Sequence, residues 1–387
     1  MKTSSNQYFK VLIIIVSFLV LLNTLESCAQ TTETTAVAKK RVIKIALLLD
    51  TSSSMDGLID QAKSQLWNIV NELSKAKCDN TKPDIQIALY EYGNDRLNPE
   101  TGFIKMVTPL TTDLDKISAD LFSLTTNGGS EHCGQVIQTA TNQLDWNDDG
   151  NDMQLIFIAG NEPFNQGPVN YALACSKAKS KNIVINTIFC GDFNEGINTQ
   201  WKNGADFTGG SYMSINQNTK TVFIDSPYDD QISALNDSLN ATYIGFGQMG
   251  REKKQMQNVQ DKNAETYGKA NKVSRAVTKV SSAYKNSNWD LVDAQKEGKV
   301  KVEEISQEQL PEEMKKMTNT EKDTYIKTKS AKREALSKEI NELNNKRKTY
   351  VAEKAKAANI NTANSLDNAM LQAVKKHAIT KKFEFEK

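Results

Sequence analysis

Residues 42–55 read VIKIALLLDTSSSM. The run from Val42 to Leu49 is apolar except for Lys44, and it stops at Asp50. An apolar run of this length, closed by small polar residues, predicts a strand buried on both faces of an α/β sheet. Ser52 and Ser54 follow Asp50 at alternate positions, so the strand opens into a loop carrying three hard oxygen side chains. Ligand sites of open α/β sheets lie just outside the carboxyl ends of the strands. A carboxylate, hydroxyls and retained water suit Mg²⁺. The same residue types also cap helices, so a plain turn ahead of a helix is the competing reading of Asp50, Ser52 and Ser54.

Downstream, the pattern alternates between strands and helices. Residues 56–77 carry Leu58, Ile59, Ala62, Leu66, Ile69, Val70 and Leu73 at helical spacing. Residues 84–92 predict a strand and 102–110 its antiparallel neighbour, followed by a helix opened by Thr111, Thr112 and Asp113. The loop 125–134, TTNGGSEHCG, leads into another helix, with Gly128 and Gly129 allowing a close turn. Residues 153–158 give a strand that ends at Ala159-Gly160-Asn161-Glu162-Pro163. A helix over 168–181 should face Ala172, Leu173 and Ala178 inward, and a strand over 183–189 ends at Cys190. Residues 211–215 and 221–224 are expected as the last edge elements, with Trp201 and Tyr212 packing nearby. The acidic stretch 145–152 lacks the closing Glu of an EF-hand and reads as a solvated loop.

With its Asp50-Thr51-Ser52-Ser53-Ser54 run, the chain resembles the von Willebrand factor type A domain family, whose signature after the first strand is DxSxS. The glycine pair near 128 and the strand-end loop at Asn161 strengthen the resemblance, which covers roughly residues 42–235. It implies an α/β, doubly wound, mostly parallel, Rossmann-like sheet with one antiparallel edge strand. It also implies a metal-ion-dependent adhesion site built by three loops. Carried onto this chain, the metal ligands are Asp50, Ser52, Ser54, Ser130 and Asn161, with Glu131 beside the second loop. The implied ion is Mg²⁺, with Ca²⁺ and Mn²⁺ as alternatives, and it engages an acidic side chain of a protein partner. Asn161 departs from the family's Asp and lacks its charge, which Glu131 or Glu162 nearby are placed to restore. The plain alternatives are a helix cap for Ser130 and a turn residue for Asn161.

Catalytic readings are weaker. His132 and Cys133 are adjacent, and adjacent side chains usually diverge, which argues against a zinc site or a thiol–imidazole pair; His377 is the only other histidine. No histidine is placed by spacing to activate Ser52 or Ser54. The expectation is therefore a non-enzymatic binding protein.

Upstream of the first strand, Lys2 and Lys10 flank a short polar start, and residues 11–22, VLIIIVSFLVLL, follow, too short for a comfortable membrane span but suited to the apolar part of an export signal. Leu25-Glu26-Ser27-Cys28 resembles a bacterial lipobox, implying cleavage after residue 27 and lipid attachment at Cys28. Ordinary secretion and an uncleaved anchor are the alternatives. Residues 28–41 then form a polar tether, which places an envelope lipoprotein beside a membrane, in a leaflet the residues leave open. An oxidising compartment would permit two disulfides among Cys78, Cys133, Cys175 and Cys190, in three pairings; four separate buried thiols is the other reading.

Beyond residue 235 the composition changes. Residues 44–236 hold 13 basic and 24 acidic side chains, whereas 237–387 hold 30 and 21. The two parts, at −11 and +9, are poised to attract one another. An acidic core without a basic stripe argues against nucleic acid. The extension, 236–387, is expected to be α-helical. A helix over 251–285 should be followed by a long polar one over 320–357, whose seam is Ile326, Leu336, Ile340, Leu343 and Tyr350. Its implied role is scaffolding or partner docking. This makes a structural or assembly factor with a degenerate metal site the alternative function.

Overall fold

The computed structural model describes residues 40–147, 150–359 and 365–386. The export signal, Cys28 and nearly all of the tether lie outside the described residues. Strand β1 (Val42–Asp50) is central and is followed by α1 (Asp56–Leu73), β2 (Ala76–Lys77), β3 (Asp84–Tyr92) and β4 (Ile104–Thr111). Then come α2 (Leu114–Ser123), α3 (Cys133–Gln143), β5 (Met153–Gly160), α4 (Tyr171–Ser180) and β6 (Val184–Cys190). Next are α5 (Phe193–Asn198), α6 (Trp201–Asp206) and β7 (Tyr212–Ile215). The strand order is β4-β3-β1-β5-β6-β7, parallel throughout except for β4, which runs antiparallel to β3 at one edge. This is the doubly wound sheet the sequence predicts.

Both faces of β1 are covered, which is why its apolar run is nearly continuous. Ile43, Ile45, Leu47 and Leu49 point into one core with α1 and α2. Ala46 and Leu48 point into the other, with Val136 and Ile137 of α3, Cys175 of α4 and Trp201 of α6. Lys44 also lies on that second side. Its ammonium reaches the Asp145 carbonyl and, at 2.9 Å, the Asn147 side chain at the start of the strand.

The helical extension consists of α7 (Asp229–Asn240), α8 (Gly250–Thr266), α9 (Lys269–Lys279), α10 (Leu291–Lys296), α11 (Asn319–Ala357) and α12 (Leu366–Thr380), closed by β8 (Glu384–Phe385). Helix α7 runs across position 236. Val273, Ala276, Ile340, Met370 and Val374 share one hydrophobic cluster with β1 and α1, so much of the extension completes the first face of the sheet. The charge asymmetry has a local counterpart. Between the residues before α7 and the extension, Arg275 pairs with Asp115 at 2.7 Å and Lys285 with Asp84 at 3.6 Å; within the extension, Lys269 pairs with Asp230 at 2.7 Å and Arg347 with Asp229 at 2.8 Å. Lys253–Asp113 has the same polarity, and Lys77–Glu386 the reverse.

Several expectations are corrected. The first helix ends at Leu73, because Ala76–Lys77 pair antiparallel with Glu384–Phe385, a partner some three hundred residues away. Residues 221–224 form no strand; Thr221 instead bonds Ser64 and Gln65 of α1. The helix expected over 251–285 is broken by Gly268 at φ +100°, a conformation open to glycine. On α4, Leu173 is 70 % exposed, and Cys175 takes the inward position with Ala174 and Ala178. Cys78, Cys133, Cys175 and Cys190 are all free buried thiols, so none of the three disulfide pairings forms. Trp201 is fully buried and Tyr212 packs at the edge of the same cluster, as expected.

Candidate metal centre

Strands β1, β3 and β5 run parallel, so their carboxyl ends share one edge of the sheet. Asp50 ends β1 opposite Tyr92 of β3. Beyond it the chain turns sharply. The Thr51 amide donates to the Tyr92 carbonyl at 2.8 Å, and the Ser52 amide to Asp50 Oδ1 at 2.7 Å. The 3₁₀ turn Ser53–Met55 then feeds α1, and neither Ser52 nor Met55 makes a side-chain cap bond at these starts. Capping therefore does not occupy the Ser52 hydroxyl. Its oxygen lies 3.3 Å from that of Ser54, in the neighbourhood of the Asp50 and Glu131 carboxylates.

The second loop is laid over the first by backbone bonds. The Asn127 amide donates to the Thr51 carbonyl at 3.0 Å, and the Asp95 amide to the Gly128 carbonyl at 2.7 Å. Thr126 donates to Asp56. This carries Glu131 against Asp50, where it is 4 % exposed. Ser130 is half-buried between Glu131 and Gly129, whose Cα packs against the Gly93 carbonyl. The third loop brings Asn161, whose side-chain amide group lies 3.2–3.4 Å from the Ser54 hydroxyl. Trp201 Nε1 fixes this loop through the Glu162 carbonyl at 2.8 Å.

Two further residues frame the carboxylate. A Cβ on Gly93 would stand 2.9 Å from Asp50 Oδ1 and 2.6 Å from Glu131 Cγ; one on Gly160 would stand 3.0 Å from Asp50 Oδ2. Both positions need the absent side chain. The only sequence signal is a glycine directly after, or closing, a buried strand, which is common in turns.

The electrostatics are unusual. Asp50 is fully buried, and Asp50 Oδ2 and Glu131 Oε2 are buried without a hydrogen-bond partner. Burial pushes the Asp50 carboxyl up to about 7, opposed by the Ser52 bonds and aided by Glu162. Burial and then the Asp50 charge push Glu131 up to about 8. Two buried carboxyls this close do not both ionise without a cation between them. A divalent ion reverses that balance and supplies the missing partner. The donors of Asp50, Ser52, Ser54, Glu131 and Asn161 are all oxygen, which fits Mg²⁺. Among the described residues there is no grouping of three or more His, Cys, Asp or Glu side chains suited to a metal. The set thus depends on hydroxyl and amide oxygens.

His132 and Cys133 diverge. The His132 ring meets Phe103 edge-on at 6.1 Å, whereas Cys133 Sγ lies 3.9 Å from the Tyr92 hydroxyl. Burial holds the Cys133 thiol well above its usual range, so it stays protonated and inert. His377 is far from the rim, bonded to Asn186.

The family profile described as von Willebrand factor type A domain matches residues 44–203. The chain carries a von Willebrand factor type A domain. Domains of this kind commonly bind other proteins or mediate adhesion. Solved structures similar to this A domain include the conserved hypothetical protein BatB from Bacteroides thetaiotaomicron (14 % identity, 45 % of this chain and 90 % of that one, TM-score 0.35). They also include the SpRpn10 VWA domain (17 %, 45 % and 87 %, TM-score 0.32) and a von Willebrand factor type A protein from Catenulispora acidiphila (15 %, 46 % and 39 %, TM-score 0.34). No curated protein sequence matches the chain. Among the described residues, no helix is long and apolar enough to cross a membrane.

Proposed function

We propose that this is a lipid-anchored protein of the bacterial envelope whose A domain binds a protein partner through a divalent ion, without catalysing a reaction. Mg²⁺ is the preferred ion, with Ca²⁺ and Mn²⁺ as alternatives. Asp50 and Glu131 supply charge, Ser52 and Ser54 hydroxyl oxygens, and Asn161 a neutral oxygen; Ser130 is the remaining candidate beside Glu131. The observation that carries this reading is the pair of buried, unpartnered carboxylate oxygens on Asp50 and Glu131. Such groups cost stability unless a ligand satisfies them. A bound ion would leave coordination positions for an oxygen of the partner.

The test is a thermal unfolding titration with Mg²⁺ after chelation. Stabilisation should grow with concentration, reaching about 2.7 kcal/mol at a hundredfold excess over Kd. Asp50→Ala should abolish it. A wild-type midpoint unmoved by Mg²⁺, Ca²⁺ and Mn²⁺ rejects the reading. Asn161, where the family has Asp, favours a second reading: a degenerate metal site on a scaffold that binds through its helical extension. Partner binding that survives both chelation and Asp50→Ala would select it. Metabolic labelling with a fatty acid, lost on Cys28→Ser, tests the anchor.

A further inference from the structure

The loops around the proposed ion share a charge. Residues 51–57, 93–103, 124–132, 161–170 and 191–200 meet at this end of the sheet, the last two joined by the Phe164 amide on the Thr199 carbonyl at 2.9 Å. Asp56, Asp95, Glu100, Glu162, Asp192 and Glu195 stand exposed on them, against one exposed cation, Arg96. Asp50 and Glu131 lie buried among these loops, both against Gly93, with an unpartnered oxygen each. With the ion bound, eight carboxylates, one guanidinium and two ionic charges leave the face at −5. A partner with a broadly acidic surface would meet like charge around the whole rim, which costs affinity and slows encounter.

We propose that the partner of this face is a protein segment rich in lysine and arginine, which brings a single oxygen donor to the ion and lays its cations over the surrounding carboxylates. This rests on the metal reading above and adds cationic flanks to the single acidic side chain that the family resemblance implies. Phe193 adds a landing point. It is 48 % exposed, packs on Tyr212 at 5.0 Å between ring centres and lies between Asp192 and Glu195 in the sequence. A guanidinium over that ring gains both the aromatic face and the neighbouring carboxylates.

The experiment uses the full chain in Mg²⁺ and two labelled twelve-residue peptides with one central Asp, flanked by Lys and Arg in one and by Glu in the other, followed by fluorescence anisotropy. The basic peptide should bind at least about tenfold more tightly, with affinity falling as NaCl rises. The quadruple variant Asp95→Asn, Glu100→Gln, Asp192→Asn, Glu195→Gln should weaken it about tenfold, the sum of four modest exposed pairs. That variant keeps Asp50 and Glu131, so its Mg²⁺ thermal shift should match wild type. An acidic peptide that binds as well, or a variant with normal Mg²⁺ stabilisation and undiminished basic-peptide binding, overturns this inference and leaves the metal reading standing. A wild-type chain that Mg²⁺ does not stabilise overturns the metal reading itself.

Discussion

Two clusters in this molecule each bury a pair of carboxylates and differ in what satisfies them. One is the rim around Asp50 and Glu131. The other lies between α2, α7, α8 and α9. There Arg275, fully buried, sits 2.7 Å from Asp115 and 2.9 Å from Asp261, with its guanidinium 4.4 Å over the Trp67 ring. Lys279 lies 2.9 Å from Asp261 and bonds Asn236 at 2.8 Å. Two cations answer two carboxylates, and the network ties the extension to the A domain. At the rim, two carboxylates have no cation of the chain's own. Buried charge answered within the chain holds the fold; buried charge left unanswered is where the proposed ion would bind.

The largest test breaks the answered cluster. Arg275→Ala should cost about 3–5 kcal/mol in urea unfolding, because Asp115 keeps its burial and loses its cation while Asp261 is left with Lys279 alone. A loss below about 1 kcal/mol would mean that water reaches the site and that the contrast is false.

Next comes the pH dependence, which should have opposite sign in the two clusters. Asp50 and Glu131 are raised in the folded protein, to about 7 and about 8. The folded state therefore holds protons that the unfolded chain releases near pH 4, and metal-free stability should fall as pH rises from about 4 to about 8. Saturating Mg²⁺ should remove that slope. For Asp261, burial alone would raise the carboxyl, but Lys279 and Arg275 hold it far below its usual range. Its contribution is present above about pH 4 and is lost on acidification below that. Urea midpoints at successive pH values, with and without Mg²⁺, separate the two signs. A metal-free midpoint that does not decline between pH 5 and 8 would put the rim carboxyls in water.

Glu131→Gln sharpens the comparison. Removing one of two crowded acids should raise metal-free stability at pH 8 and weaken Mg²⁺ about tenfold or more, the scale of a lost carboxylate in or beside a metal shell. Calorimetric titration showing unchanged Mg²⁺ affinity would place Glu131 outside the site. The smallest expected effect is from Asn161→Asp. Restoring the family's charge should tighten Mg²⁺ a few-fold, partly offset by repulsion from Asp50, Glu131 and Glu162. Weaker binding in that variant would mean that repulsion outweighs the gain in ligand charge.

Much of the A domain is legible in one dimension because its signals are local. The nearly unbroken run of β1, the apolar stripe of α1 and the loop polarity each report burial within a dozen residues. The first loop is equally local, since Asp50, Ser52 and Ser54 are neighbours in the chain. Gly93 and Gly160 are not legible as site residues: what makes them necessary is the approach of Asp50 from another strand. Leu173 faces solvent because the turn phase of α4 is set by contact with α3, and a short helix of alanines and lysines carries a weak stripe. The β2–β8 pair follows from a contact some three hundred residues apart in the chain.

By itself the sequence determined the order of strands and helices, the three oxygens after β1 and the opposed charges of the two halves, because each is a property of neighbouring residues or of counts. Only the tertiary structure decided that Glu131 faces Asp50 with no cation beside it, that the extension closes one face of the sheet, and that the loop rim is negative on nearly every side. Those facts depend on which distant segments share a solvent-free space. Such sharing is fixed by packing and desolvation, which no local pattern encodes.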